Sequence, residues 1–225
     1  MFLKIGFSLL CLCSTLVEMR CKLFSFLKNY CYISSLKIYS LAKMLVSTGC
    51  GAVDCLETGV VTEVFDLMDP TTICDPLDDF PIQTSQGTGG LLEEKYPLIC
   101  AGVYSNQCYI IGEDHATATL QTERRYSSSL LMDPKALWIT GGLTPGDGIF
   151  DQALSSTELI SLSEDSRFGP ELPVHVWGHC IARMYVNSAM LIGGVSKEYY
   201  SSSKTFIFDY ASSGWTEGLD MNRDR

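Results

Sequence analysis

Residues 190–222 read MLIGGVSKEYYSSSKTFIFDYASSGWTEGLDMN, and this stretch decides the fold. A short apolar run ends in Gly193-Gly194, and Thr205 leads a second apolar run eleven residues after the doublet. Both runs are too short for a helix, and a closing glycine is typical of a strand that ends in a tight turn. A third element, which carries Trp215, follows after a polar stretch. The pattern therefore predicts one small antiparallel sheet.

The same pattern recurs along the chain. Apolar runs that end in glycine lie at residues 45–51, 98–102, 137–142 and 190–194, and their last glycines are 51, 40 and 52 residues apart. A second apolar strand follows each run, led by threonine in three of the four units. Recurrence of one strand pattern indicates a repeat protein in which each unit folds as one sheet.

The third and fourth units resemble the kelch repeat. Gly193, Gly194, Trp215, Met221 and Asn222 match the family's glycine doublet, its tryptophan and the residues that follow. The third unit also carries the doublet, whereas the first two units lack both the doublet and the tryptophan. The resemblance implies an all-β fold, a partial kelch-type β-propeller of about three to four four-stranded antiparallel blades. It also implies that the residues of the doublets and the tryptophan are structural, namely Gly141, Gly142, Gly193, Gly194 and Trp215.

A change in charge divides the chain near Met44. Residues 1–44 carry six basic residues and one acidic residue, so that residues 45–225 carry 10 basic and 25 acidic residues. We therefore expect residues 1–43 to be a signal-peptide-like segment, or an artefact of the gene model if Met44 is the true start. Residues 44–225 would then form the blades. Since they hold three full units and part of a fourth, we expect a ring truncated at its C-terminus.

Composition excludes several kinds of partner. The chain is 46% hydrophobic, which allows a buried core, and its net charge of -10 disfavours nucleic acid, because phosphate binding needs clustered Lys and Arg. The body of the chain contains no run long enough to span a membrane. We also predict no cofactor: there is no Cys-x-x-Cys pair, and His175 and His179 lie in extended chain, where joint metal ligation is unfavourable.

The cysteines favour an oxidising compartment. Six of the ten lie in the acidic body, and we consider Cys74 with Cys100, or Cys100 with Cys108, as alternative disulfides between neighbouring strands. The two pairings exclude each other. Disulfides indicate an extracellular, secreted protein, whereas free thiols would indicate the cytoplasm.

No set of residues converges on catalysis. Paired carboxylates such as Asp78-Asp79 and Glu164-Asp165 lie in polar segments between predicted strands, where solvated charge is the ordinary state. Arg124-Arg125-Tyr126 has two interpretations. The resemblance implies that an arginine before an aromatic residue begins the next blade and packs near the central channel; alternatively, the pair contacts a ligand from an exposed loop.

These observations lead to a functional expectation. We expect no enzyme but a non-catalytic protein-binding module built from kelch-like repeats. We expect it to be secreted, with a protein partner that the sequence does not name. One alternative is part of a propeller enzyme, a copper oxidase or a hydrolase, whose active site lies in missing blades. Another is an intracellular kelch adaptor.

Overall fold

The computed structural model describes residues 32–40, 43–50, 58–66 and 80–225, except residues 83, 94, 101, 104, 114, 134, 147–150 and 186. All regular elements in this part of the chain are strands. They are β1 (Tyr32–Ser40), β2 (Lys43–Cys50), β3 (Thr58–Asp66), β4 (Thr88–Leu92), β5 (Tyr96–Cys100), β6 (Gln107–Ile110), β7 (Ala118–Thr119), β8 (Ser128–Asp133), β9 (Ala136–Thr140), β10 (Leu143–Thr144), β11 (Gln152–Ala153), β12 (Thr157–Ile160), β13 (Arg167–Phe168), β14 (Val176–Trp177), β15 (Cys180–Tyr185), β16 (Ser188–Ile192), β17 (Val195–Ser196), β18 (Thr205–Asp209) and β19 (Gly214–Glu217).

Three antiparallel sheets have four strands each. We name them blade A (β4-β5-β6-β7), blade B (β8-β9-β12-β13) and blade C (β15-β16-β18-β19). A three-stranded sheet, β1-β2-β3, precedes them, and two short strand pairs, β10-β11 and β14-β17, lie beside blades B and C. The four glycine-ended runs form β2, β5, β9 and β16, which are the second strands of their sheets. The predicted all-β fold of four-stranded antiparallel sheets is confirmed.

Blades B and C repeat each other in their hydrogen bonds. The Gly169 N–H donates to Thr157 O and the Gly218 N–H donates to Thr205 O, both at 2.9 Å. The threonine hydroxyls donate in the same way, Thr157 Oγ1 to Pro170 O and Thr205 Oγ1 to Leu219 O, both at 2.8 Å. One backbone pattern therefore serves both units, although most of their side chains differ.

Each blade covers the apolar face of the blade before it. The core between blades A and B includes Leu98 and Ile110 from blade A and Leu137, Ile139 and Ile160 from blade B. Between blades B and C, the Trp138 ring lies 5.1 Å from the Phe208 ring and 5.9 Å from the Trp215 ring, measured between centroids. A single four-stranded sheet would leave these faces exposed, so stacking is the main source of stability.

The blades follow one another around a common axis. The first strands are in contact in succession: β1 with β4, β4 with β8, and β8 with β15. Beside them, the Tyr126 N–H donates to Gln86 O and the Gly178 N–H donates to Tyr126 O, both at 2.9 Å. In the described part of the chain this succession does not close into a ring. The same part contains no helix that could cross a membrane.

The glycine doublets lie where chain segments that precede and follow their own blade pass close by. Gly142 and Gly194 have φ of 104° and 95°, and their N–H groups donate to Val176 O (2.9 Å) and Arg225 O (2.8 Å). A Cβ atom at Gly142 would lie 2.7 Å from Arg125 O, and one at Gly194 would lie 2.5 Å from Val176 Cγ2. Only glycine combines this backbone conformation with this approach. The first glycine of each doublet is also left-handed, with φ of 54° at Gly141 and 60° at Gly193.

One of the two alternative disulfides is formed. Cys100 of β5 and Cys108 of β6 are directly opposite in the strand register and are bonded, with a Cα–Cα distance of 4.0 Å. Both are buried in the core between blades A and B. Cys180 is disulfide-bonded as well, and Cys74 lies outside the described residues.

Candidate interaction surface

Three short segments lead the chain into the first strands of the blades, and we call them lead-in segments: residues 84–87, 124–127 and 176–179. At one equivalent position, Gln86, Tyr126 and Gly178 have φ of 65°, 54° and 60°. This left-handed residue turns the chain into the first strand and joins the blades by the hydrogen bonds described above. The lead-in segments, with the loops that follow the second strands, form one end of the propeller.

A buried ion pair holds the second lead-in segment. Arg124 and Glu158 have no exposed side-chain surface, and Arg124 Nη2 donates to Glu158 Oε1 at 2.8 Å. Arg124 Nη1 also donates to Gly141 O (3.0 Å) and Ser156 O (2.9 Å). Burial lowers the pKa of the Arg124 guanidinium, and the charge of Glu158 opposes that shift. Arg124 therefore fastens the lead-in segment to the glycine doublet, whereas the resemblance had implied a structural role for the arginine next to the aromatic residue, Arg125.

Glu158 also satisfies two backbone donors. Its Oε2 accepts the Gln121 N–H (2.6 Å) and its Oε1 accepts the Thr122 N–H (3.1 Å). Hydrogen bonds from charged and backbone donors satisfy the lone pairs of a buried carboxylate and offset part of the cost of its burial. These contacts tie Glu158 to the segment that leads to Arg124, so the pair works as one network and not as a free acid or base.

His179 is buried beside the third glycine-ended run. Its Nε2 lies 2.8 Å from Thr140 Oγ1, which itself donates to Ser128 O, so the imidazole is the donor to the threonine. Burial lowers the pKa of His179 to about 3. His175 is exposed, and its Nδ1 lies 3.1 Å from Ala153 O. The two histidines thus have different partners, and no group of three or more His, Cys, Asp or Glu in the described part of the chain could hold a metal ion.

An aromatic cluster covers the end of the propeller between blades B and C. The Tyr126 ring lies 5.4 Å from the Trp177 ring, and the Trp177 ring lies 6.5 Å from the Tyr199 ring. Tyr199 is 52% exposed and its neighbour Tyr200 is 74% exposed. We call Tyr126, Trp177, Tyr199 and Tyr200 the aromatic surface.

Polar contacts fix this surface in place. Arg125 forms an ion pair with Asp151, and its guanidinium lies 5.9 Å from the centre of the Tyr126 ring. The Tyr199 hydroxyl donates to Asp151 O at 3.0 Å, which connects the loop of blade C to the loop of blade B. The cluster is therefore a surface whose geometry is set by both blades.

The sequence pointed to only part of this surface. Arg125 and Tyr126 were candidates, whereas Trp177 and Tyr199 were missed because their contact depends on the packing of two blades. The signal that could have found them is the Tyr199-Tyr200 pair in an otherwise polar loop. The other candidates from the sequence lie away from this surface. Trp215 packs in the core, and its indole N–H donates to Glu171 O (2.8 Å). Glu164 and Asp165 are exposed, and Asp78 and Asp79 lie outside the described residues.

Comparison with known proteins supports the fold. No family model and no curated protein matches the sequence. The structure is similar to that of YjhT, with a TM-score of 0.64 and 12% identity over 85% of this chain and 67% of that chain. It is also similar to a fungal alcohol oxidase of the AA5 family in complex with copper, with a TM-score of 0.57 and 11% identity over 86% of this chain and 54% of that one. The chain thus spans about two thirds of the first protein and about half of the second, and it has a β-propeller-like fold.

The second similarity corrects one expectation. We expected no enzyme, because no catalytic motif is present in the sequence. The likeness to a copper alcohol oxidase over most of this chain overturns that exclusion. The physical reason is that propellers carry their sites on loops from several blades, so residues far apart in sequence can form a site without any linear motif.

Proposed function

We propose that this chain is a kelch-like repeat protein that binds another protein through its aromatic surface. The kelch assignment is supported by the two glycine doublets and by the matching hydrogen bonds of blades B and C. The Cys100–Cys108 disulfide supports a secreted protein, because such bonds persist in oxidising compartments.

The observation that carries the proposal is the aromatic surface itself. Tyr, Trp and Arg are the residue types most enriched at the energetic centres of protein interfaces, because they bury large areas at little cost in side-chain entropy. Here the rings of Tyr126, Trp177 and Tyr199 lie together with Arg125, Tyr200 follows directly in the chain, and Tyr199 and Tyr200 are more than half exposed. The rigid sheets beneath them hold the cluster in one arrangement, which lowers the entropy lost on binding.

Variants at one exposed tyrosine test the proposal. A partner is first captured from the secretions of the source cells by the immobilised chain and identified by mass spectrometry. Its affinity is then measured for the wild type, for Tyr200→Ser and for Tyr185→Ser. Tyr185 is the matched control, because it is 73% exposed but lies at the far end of β15, at the β15-β16 turn. We expect Tyr200→Ser to weaken binding about tenfold and Tyr185→Ser to leave it unchanged. Equal effects of both substitutions, or none, would overturn the proposal.

Alcohol oxidation with copper is a second candidate, and the likeness to the fungal enzyme favours it. The described residues do not fit a copper site, since His179 is held by Thr140 inside the core and His175 is directed to Ala153 O. We therefore derive no step through copper. Elemental analysis of the purified chain after incubation with copper decides the matter: stoichiometric copper supports this candidate, and copper removed by simple dialysis contradicts it.

A further inference from the structure

Two residues of the aromatic surface have a backbone conformation that bulky residues avoid. Tyr126 and Tyr199 have φ of 54° and 63°. The left-handed region is strained for a residue with a Cβ atom. Both rings contact Trp177, whose buried Nε1 has no hydrogen-bond partner among the described residues. Two strained backbone positions and one unpaired buried donor thus lie at the Trp177 ring.

The fold does not need tyrosine at either position. Blade C has Gly178 at the position of Tyr126, with φ of 60° and the corresponding hydrogen bond to the preceding lead-in segment. Tyr199 closes a turn in which its N–H donates to Ser196 O (2.9 Å), a left-handed position that glycine fills at lower cost. Proteins keep unfavourable local conformations chiefly where function requires them. A side chain is tolerated at the position of Tyr126, since Gln86 fills it in blade A with φ of 65°, but the backbone requires a tyrosine ring at neither position.

The charge of the chain indicates which partner the rings suit. Residues 45–225 carry 10 basic and 25 acidic residues, so a cationic partner is attracted over long range. The basic side chains beside the rings are already paired: Arg125 with Asp151, and Lys197 with Glu198 at 3.8 Å. The faces of tyrosine and tryptophan attract ammonium and guanidinium groups.

We propose, on the basis of the function proposed above, that the partner is a basic protein segment and that one of its lysine or arginine side chains binds among Tyr126, Trp177 and Tyr199. Trp177 and the exposed Tyr199 supply cation-binding faces beside Tyr126, whose ring the Arg125 guanidinium already approaches to 5.9 Å, and the acidic body of the chain increases the rate of encounter. Phe80 and Tyr109 also make a ring contact, but both are buried in blade A and present no such faces to solvent.

Glycine substitutions separate binding from stability. Binding of a short lysine-rich peptide is measured by calorimetry, with glutamate-rich and proline-rich peptides of the same length for comparison. We expect the wild type to bind the lysine-rich peptide best. Tyr126→Gly and Tyr199→Gly should each weaken that binding about tenfold, while relief of the left-handed strain offsets part of the stability lost with the ring contacts, so that both variants still unfold cooperatively. Tyr185→Ser, remote from the rings, should bind as the wild type does.

Two results would overturn this inference. One is unchanged binding of the lysine-rich peptide by both glycine variants, since the attraction would then come from the overall charge alone. The other is tighter binding of the proline-rich or the glutamate-rich peptide. The protein-binding function fails separately: if capture of the natural partner depends on Tyr200 but no lysine-rich peptide binds, that function stands and only the basic partner is wrong.

Discussion

Acid should destabilise the protein through His179. The imidazole is buried and neutral in the folded state, and burial lowers its pKa to about 3 from the ordinary value of 6.5. The unfolded chain therefore binds a proton at a higher pH than the folded chain does. Above pH 6.5 the imidazole is neutral in both states and does not lower the free energy of unfolding. As the pH falls from 6.5 towards 3, the unfolded chain binds the proton and the free energy of unfolding decreases.

The size of the effect follows from these two pKa values. At pH 5 almost every unfolded chain carries the proton on this histidine and almost no folded chain does, so the loss in the free energy of unfolding is about 2 kcal/mol. Near pH 3 it approaches about 4–5 kcal/mol, a large share of the stability of an ordinary domain. A loss of this size from one side chain is measurable above the changes caused by surface carboxylates.

Urea unfolding at a series of pH values measures it. The wild type is compared with His179→Gln, whose amide can still donate to Thr140 but does not titrate, and with His175→Gln as the exposed control. Between pH 7.5 and pH 5, the wild type and His175→Gln should lose about 2 kcal/mol more than His179→Gln. Parallel pH profiles for all three proteins would refute the reasoning, because the imidazole would then titrate alike in both states.

Three further predictions concern stability, each measured by denaturant unfolding. Glu158→Gln should destabilise the protein by about 3 kcal/mol because it leaves the buried Arg124 unpaired, and the observation to refute it is a change below about 1 kcal/mol. Gly142→Ala should lower the free energy of unfolding by more than about 2 kcal/mol, because its Cβ would lie 2.7 Å from a backbone oxygen. Gly214→Ala is the control and should be tolerated, because its Cβ would lie 3.5 Å from the nearest atom. Similar losses of stability in both variants would contradict this. Removal of the Cys100–Cys108 disulfide by Cys100→Ala with Cys108→Ala should cost about 2–3 kcal/mol, and an unchanged unfolding midpoint would show that the bond does not form.

The strands were predictable because their signals are local. A short apolar run with a closing glycine marks the second strand of each sheet, and the left-handed φ of Gly142 and Gly194 explains why glycine ends those runs. The aromatic surface was not predictable in the same way. Trp177 and Tyr199 belong to one unit but meet Tyr126 and Asp151 of another, and no pattern within a unit encodes a contact between units.

The adjacent arginines show the same limit. The sequence presents Arg124-Arg125 as one pair, and the structure separates the two side chains. Successive side chains of an extended segment point to opposite sides, so Arg124 enters the core to meet Glu158 while Arg125 reaches the surface to meet Asp151. Which arginine enters the core is decided by the position of Glu158 on β12, more than thirty residues later in the chain.

A comparison of blades B and C explains why the repeat is faint in the sequence. Val176 and Phe206 of blade C pack together at the positions that Arg124 and Glu158 occupy in blade B, so an apolar pair replaces a buried ion pair. The ion pair of blade B could not be replaced by an apolar pair through these two substitutions alone. Glu158 accepts the N–H groups of Gln121 and Thr122, and the position equivalent to Gln121 is Pro173, which has no N–H to satisfy. An apolar pair in blade B would remove the acceptor that Glu158 provides to the Gln121 and Thr122 N–H groups, so each blade must change several residues together. The second glycine of each doublet has no such alternative, because its backbone is left-handed and neighbouring atoms approach it closely, and for this reason the glycines carry the repeat while the side chains around them differ.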